Sequence, residues 1–280
     1  MRNLRKSLGF YLFYNLTFLK NLKFFKFHKT SHFRAFAIPH LLQKSLKTLI
    51  FNTKVYFKVQ NMKIVSFTPI KLNNQRTPGK NIKPFYDGTP LIHFILKTIL
   101  QVPRIDEAFV FCSDEAILPY LLPGIKFLKR PKSLDLDSAL RSDLIREFMR
   151  LVDADVYIMS HATSPFVSVE TYDKCLDAVL LDNYDSAFAA KKHLNFFWQN
   201  NAPLNFSLNS TPRTQDLTPI FSEVTTPYIF KKEVFKEFGG AISENPFICE
   251  VSELEATDID YPQDFLMADF LYKHFIKQVH

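Results

Sequence analysis

Three cations, Lys71, Arg76 and Lys80, share one short loop, Pro69-Ile-Lys-Leu-Asn-Asn-Gln-Arg-Thr-Pro-Gly-Lys-Asn81, directly after the apolar run 63–68. Few carboxylates lie nearby and nothing in the loop is apolar enough to be core. Clustered Lys and Arg at the end of a strand suit a polyanion such as a triphosphate; a solvated basic turn is the alternative. Near the other end of the chain, Asp258 and Asp260 stand two residues apart, so in an extended stretch both carboxylates point to one side. That donor set suits a hard cation that takes one or two carboxylates and completes its shell with phosphate oxygens. The alternative is a solvated strand end, with Asp264 capping the helix that follows. Asp114 could contact a nucleotide or cap the next helix, and His161 could serve a site or pack. Thr163 and Ser164 could offer hydroxyls and amides to a ligand or form a turn before Pro165. The lone Trp198, close to Phe196 and Phe197, could line a pocket, the core or a dimer interface.

The elements that must position these residues follow from periodicity. Short apolar runs at 63–68, 107–112, 155–160, 185–190, 226–230 and 247–251 read as strands. Helix-period segments cover Pro90–Leu100, Glu115–Leu121, Ser138–Val152, Val169–Leu181, Lys231–Phe238 and Gln263–Phe275. Within Ser138–Val152 the apolar face is Leu140, Leu144, Ile145, Phe148 and Leu151. Runs such as Phe109-Val-Phe-Cys112 lack alternation, as strands buried on both faces do. The alternation of strand and helix argues an α/β domain with a mainly parallel sheet and helices on both faces. Ligands of such sheets bind beyond the carboxyl ends of the strands, at the reversal of strand order. The loop 69–81, Ser113–Glu115, Lys129–Pro131, Ser160–Pro165 and Thr257–Asp260 are the segments expected there. Residues 195–218, rich in Asn, Pro, Ser and Thr, read as an excursion and a plausible dimerisation element.

The net charge of +7 on 280 residues is unevenly placed. Residues 1–61 hold twelve Lys and Arg and no Asp or Glu, whereas the rest holds 23 basic and 28 acidic side chains. A mildly acidic globular part argues against nucleic acid as a partner. The basic, Phe-rich segment 1–61 has three readings. It resembles a signal peptide without a clear cleavage site, it could lie on an anionic membrane surface, or it precedes a natural start at Met62, the reading favoured. Peripheral membrane contact is expected only if 1–61 belongs to the working protein. Three dispersed cysteines without a CxxC pair fit a reduced, cytoplasmic protein.

Several motifs in order resemble the acylneuraminate cytidylyltransferases (CMP-sialic-acid synthetases) of the sugar-nucleotidyltransferase superfamily. Lys71 to Asn81 looks like the family's nucleotide loop, and Phe111-Cys-Ser-Asp114 like its S-[TS]-D strand end. Arg130-Pro-Lys-Ser-Leu134 matches R-P-x-x-L, Ala162-Thr-Ser-Pro165 resembles P-T-S-P, and Arg213-Thr-Gln215-Asp-Leu217 matches R-x-Q-x-L. Asp258-Ile-Asp260 with Asp264 resembles D-I-D-x-x-x-D. The resemblance covers about residues 62–275. It implies a Rossmann-like nucleotide-diphospho-sugar transferase fold and Mg²⁺-dependent transfer of CMP from CTP to an acidic sugar, with loss of pyrophosphate. That activity serves surface-glycan biosynthesis. It implies a nucleotide site of Pro69, Lys71, Leu72, Asn73, Asn74, Arg76, Lys80, Asn81, Asp114, Arg130, His161, Ala162, Thr163 and Ser164. Lys71, Lys80 and Asp260 would carry catalysis, Asp260 and Asp258 the metal, and a homodimer is expected.

The chain also departs from the family pattern. The usual Ala-Arg-x-Gly-Ser-Lys opening is Ile70-Lys-Leu-Asn-Asn-Gln75 here, so Lys71 keeps a charge but loses a planar fork. The sugar-site strand N-G-A-[IV]-Y is replaced by Val224-Thr-Thr-Pro-Tyr-Ile-Phe230. Lys191, Lys192 and Arg213 are the cations available for a sugar carboxylate, with Gln215 beside them. A related transferase acting on a sugar phosphate, or a non-catalytic nucleotide-binding homologue, are the alternatives.

Overall fold

The computed structural model describes residues 61–277, so the readings of segment 1–61 lie outside the described residues apart from Asn61. Strand β1 (Ile64–Ile70) is buried along nearly its whole length, which a Ser, Thr and branched-apolar run permits only at the centre of a sheet. It pairs in parallel with β2 (Glu107–Cys112) on one side and β4 (Val156–Met159) on the other. The full order is β3-β2-β1-β4-β8-β5-β9, with β3 Ile125–Lys129, β5 Ser186–His193, β8 Ile220–Lys231 and β9 Phe247–Val251. Only β8 runs antiparallel, to β4 and to β5. The chain steps outward from β1 to β3 and then returns to β4 on the other flank of β1. The reversal therefore falls between the carboxyl ends of β1 and β4.

Alternation along β1 divides the interior in two. Val65 and Phe67 join Phe109, Phe111, Tyr157 and Phe230 with Ile145 and Phe148 of α2 (Arg141–Leu151) and Val234 of α4 (Lys232–Phe238). Phe67 stacks on Phe148 at 4.1 Å between ring centroids. On the opposite face lie α1 (Leu91–Gln101) and α3 (Val169–Leu180), whose buried apolar residues recur every three to four positions. Leu140 is 64% exposed and Leu151 also lies open. The apolar face expected from Leu140 to Leu151 thus narrows to Ile145 and Phe148 with partial cover of Leu144, because the helix starts only at Arg141.

A second cluster fixes the C-terminal helix α5 (Pro262–Leu271). Phe85, just after the β1 loop, meets Phe94 of α1 at 4.6 Å and Phe265 of α5 at 4.9 Å, with Leu91, Ile259 and Ala268 around them. Burying each such ring contributes roughly 2–3 kcal/mol. This packing holds the segment before α5 against the loop after β1. The excursion at 195–218 contains a small hairpin, β6 (Trp198–Gln199) with β7 (Ala202–Pro203). Among the described residues no helix is long and apolar enough to cross a membrane.

Candidate active site

The β1 loop turns at Gly79, whose φ of +66° a residue with a Cβ rarely adopts, and then enters a 3-10 turn at Lys80–Ile82. That turn aims a nearly buried Lys80 inward. Its Nζ donates to the Ile259 carbonyl at 2.6 Å and to Asp260 Oδ1 at 3.2 Å. Arg76 Nη1 donates to Asp260 Oδ2 at 2.6 Å across 184 residues of sequence, and Thr77 Oγ1 donates to the Asp260 carbonyl at 2.9 Å. Asn81 braces the loop from within, donating to the Lys71 carbonyl at 2.8 Å and to Asn74. Lys71 donates to Asp137 at 3.0 Å and Gln75 donates to the same carboxylate, tying the loop to the segment that leads into α2. The Lys71 bond holds the Asp137 carboxyl below its usual range.

The acidic segment is stitched from its other side by β4 and α3. Glu255 accepts from Ser168 Oγ and Thr171 Oγ1, each at 2.7 Å. Ile259 N donates to the Thr163 carbonyl at 2.9 Å. Asp258 is open at its surface yet surrounded by protein, as at the bottom of a cleft. That desolvation pushes its carboxyl up, the Thr163 side chain opposes it, and the neighbouring Asp260 charge adds to it. A cation held beside both carboxylates would relieve the repulsion that Asp258 feels from Asp260. Among the described residues no group of three or more His, Cys, Asp or Glu gathers for a metal. Mg²⁺ needs no more than one or two carboxylates when phosphate supplies the rest, so Asp258 and Asp260 fit it. Asp264 caps α5, accepting from Tyr261 N at 2.7 Å and Asp260 N at 3.0 Å, the role read for it from sequence.

Beyond β4, His161 N donates to Thr226 Oγ1 at 2.7 Å, and Ser164 and Thr225 share a hydroxyl contact of 2.8 Å. The turn read for Thr163 and Ser164 is present, Ser164 N donating to the His161 carbonyl at 3.4 Å. Ala162 is buried beneath them. Burial, with the charges of Arg141 and Lys80, pushes the His161 imidazole down to about 4. His161 is a neutral ring at physiological pH.

Other expected residues have partners of their own, and for Asp114 the capping alternative is the one observed. Asp114 caps the 3-10 helix Glu115–Tyr120, accepting from Ala116 N at 3.0 Å. Arg130 is no surface residue. It is 4% exposed and donates to Asp135 at 2.6 Å, and its Nε has no hydrogen-bond partner among the described residues. An open depression of about 700 Å³ is bordered by Asp114, Arg130 and Arg150, without any residue of the β1 loop. Lys191 pairs with Glu253 at 2.5 Å, Lys192 with Glu250 at 3.5 Å, and Arg213 with Asp216 at 2.7 Å; Gln215 is exposed. Among the described residues no ion pair or hydrogen bond joins these four to the cluster around Asp260. Trp198 is 56% exposed and meets Phe206 edge-on, which excludes the core reading and leaves the pocket and interface ones. Sequence reasoning missed Asp135, Asp137, Arg141 and Glu223, which pair with Arg130, with Lys71 and, for the last two, with each other.

A doubly wound sheet that gathers a basic loop and carboxylates at its strand-order reversal is a Rossmann-like architecture with a candidate ligand site. Known proteins narrow that class. Residues 69–274 match the family described as cytidylyltransferase, and the chain belongs to that family. It is a divergent member. Over 230 residues it is 24% identical to a Helicobacter pylori protein named pseudaminic acid cytidylyltransferase and UDP-2,4-diacetamido-2,4,6-trideoxy-beta-L-altropyranose hydrolase, covering 78% of this chain. The chain spans 44% of that relative's length. A CMP:2-keto-3-deoxy-manno-octonic acid synthetase complexed with CTP superposes with a TM-score of 0.57 at 16% identity, over 75% of this chain and 98% of that one. A 4-diphosphocytidyl-2C-methyl-D-erythritol synthase from Anaerococcus prevotii gives 0.57 at 15% identity, over 77% and 98%. At these identities the likeness is one of fold, and the nucleotidyltransferase fold that the motifs implied is the fold observed.

Proposed function

We propose that the chain transfers CMP from CTP to an acidic sugar of the sialic-acid-like nonulosonate class, releasing pyrophosphate, as a step towards surface glycans. The observation that carries this reading is the convergence of Arg76, Lys80 and Asp260 at the reversal between β1 and β4. Membership of the cytidylyltransferase family and the name of the H. pylori relative support the nucleotide and the acceptor class. In the reaction a hydroxyl oxygen of the sugar forms a bond to the α-phosphorus. The bond from that phosphorus to the bridging oxygen breaks, pyrophosphate leaves with the electron pair, and the hydroxyl proton passes to solvent.

Such transfer needs positioning and charge stabilisation more than covalent help. Arg76 and Lys80, with the loop amides, neutralise the triphosphate and the departing pyrophosphate. The triphosphate competes with Asp260 for these cations, so its binding frees the Asp260 carboxylate. A Mg²⁺ ion held by Asp260 and Asp258 would add charge neutralisation on the phosphate oxygens. His161, neutral and a weak base, forms an uncharged wall beside the acceptor. The test is a coupled pyrophosphate assay with each NTP against a panel of sugar acids and sugar phosphates. CTP with a nine-carbon sugar acid should be used best; equal use of all four nucleotides, or of a sugar phosphate alone, would overturn the proposal.

A further inference from the structure

Arg141 is a cation near the site to which the proposed reaction gives no task. It is the first residue of α2, and it follows the segment that Asp137 ties to Lys71 and Gln75 of the β1 loop. Its guanidinium lies 4.4 Å from the Tyr228 ring centroid, in the stacked position favoured between a planar cation and an aromatic face. The Tyr228 hydroxyl donates to Glu223 at 2.7 Å, and Arg141 reaches the same carboxylate at 3.5 Å. The ring and the carboxylate therefore fix the orientation of the fork. The Arg141–Glu223 contact is longer than a charge-assisted hydrogen bond, typically about 2.7–2.9 Å, so the N–H groups of Arg141 are not committed to it. Arg130 is the contrast, nearly sealed and bonded to Asp135 at 2.6 Å. The Arg141 side chain is 42% exposed and open to solvent.

Position in the sheet gives the cluster its meaning. Met159 at the end of β4 pairs with Tyr228 of β8, so the antiparallel β8 carries Thr226, Thr225 and Glu223 past the carboxyl edge of β4. This is the stretch where the usual family strand is replaced. His161 stands beside this cluster, its ring centroid 6.5 Å from that of Tyr228. Arg141, Tyr228 and Glu223 thus form a group of their own, with no ion pair to Arg76, Lys80 or Asp260 among the described residues.

We propose that Arg141, oriented by Tyr228 and Glu223, binds the carboxylate of the acceptor sugar and makes the site selective for a sugar acid over a sugar phosphate. The inference rests on the transferase reading above. A carboxylate matches the guanidinium fork bidentately, and one such pair takes up the single charge available. Glu223 keeps its bond from Tyr228 when the acceptor arrives. A phosphate monoester brings nearly two negative charges to a wall where Arg141 is already balanced by Glu223 and His161 is neutral. Of the nearby hydroxyls, Ser164 and Thr226 are fully buried, and the part-exposed Thr225 suits a hydroxyl or amide substituent of a sugar.

The experiment measures KM and kcat for Arg141→Ala, Arg141→Lys and Glu223→Gln with the best sugar acid and with its methyl ester, alongside thermal melts. Arg141→Ala should raise KM for the acid about 100-fold, the loss typical of a truncated charge pair, and leave KM for CTP within about twofold. Arg141→Lys should recover part of the loss, and Glu223→Gln should keep or improve acid binding. The methyl ester should be a poor acceptor for the unaltered protein and no poorer for Arg141→Ala. An unchanged acid KM in a folded Arg141→Ala protein overturns the inference and leaves the transferase reading standing. So does an equal rise in the KM values for CTP and acid. If the unaltered protein releases pyrophosphate with sugar phosphates and with no sugar acid, the transferase reading and the inference fall together.

Discussion

Replacing Asp260 by Asn separates the site's chemistry from its architecture. The substitution keeps the shape of the side chain and both backbone contacts, from Asp260 N to Asp264 and from Thr77 to the Asp260 carbonyl. It removes one charge from the pairs with Arg76 and Lys80. The Arg76 pair is open to solvent on both sides, and pairs of that kind contribute about 0–1 kcal/mol. Lys80 keeps its 2.6 Å bond to the Ile259 carbonyl. The expected destabilisation is about 1 kcal/mol, a fall in Tm of roughly 2–4 °C for a domain of this size. The effect on turnover should be far larger, because the carboxylate assigned to the metal is lost. A 10²–10³-fold fall in kcat/KM corresponds to about 3–4 kcal/mol of transition-state stabilisation. The assay is pyrophosphate release across a Mg²⁺ titration, paired with a thermal melt of the same sample. A variant with kcat/KM within about threefold of the parent and the same Mg²⁺ dependence would refute the metal assignment. A drop in Tm beyond roughly 8 °C would show that Asp260 serves the fold instead.

Phe265→Ala should cost about 3–5 kcal/mol in urea unfolding and raise KM for CTP, because Phe265 holds α5 and the Asp260 segment against Phe85. Arg130→Leu leaves Asp135 as a mostly buried charge and should cost about 3 kcal/mol, with Arg130→Met/Asp135→Leu recovering part of it in the same measurement. His161 has a folded-state pKa near 4, below its unfolded value of 6.5, so its contribution is complete above pH 6.5 and is lost as pH falls towards 4. From pH 7 to pH 5 this one group should lower stability by about 2 kcal/mol. His161→Gln should remove that part of the pH dependence of urea unfolding, and an identical slope in both proteins would contradict it.

The central sheet was legible because β1, β2 and β4 are short apolar runs, and their buried faces leave no place for alternation. Strand β3 was not, since Lys126 and Lys129 interrupt Ile125-Lys-Phe-Leu-Lys129 at the edge, where one strand side faces solvent. Only the latter half of β8 was apparent, because its first residues are polar and exposed and are held by pairing with β5. The basic loop was visible from composition and position. Its pairing with Asp260 came only through the motif order of a resembling family, since nothing local joins residues 184 apart. Arg141, Tyr228 and Glu223 meet through the β4–β8 register and the start of α2, so no spacing in the chain announces them.

The most direct test of the account is the ³¹P NMR spectrum of the product formed from CTP, Mg²⁺ and a nonulosonate acid. The account predicts one phosphodiester resonance for a CMP–sugar, with an equal amount of pyrophosphate. A pair of coupled diphosphate resonances, formed with a sugar phosphate and never with the acid, would contradict it.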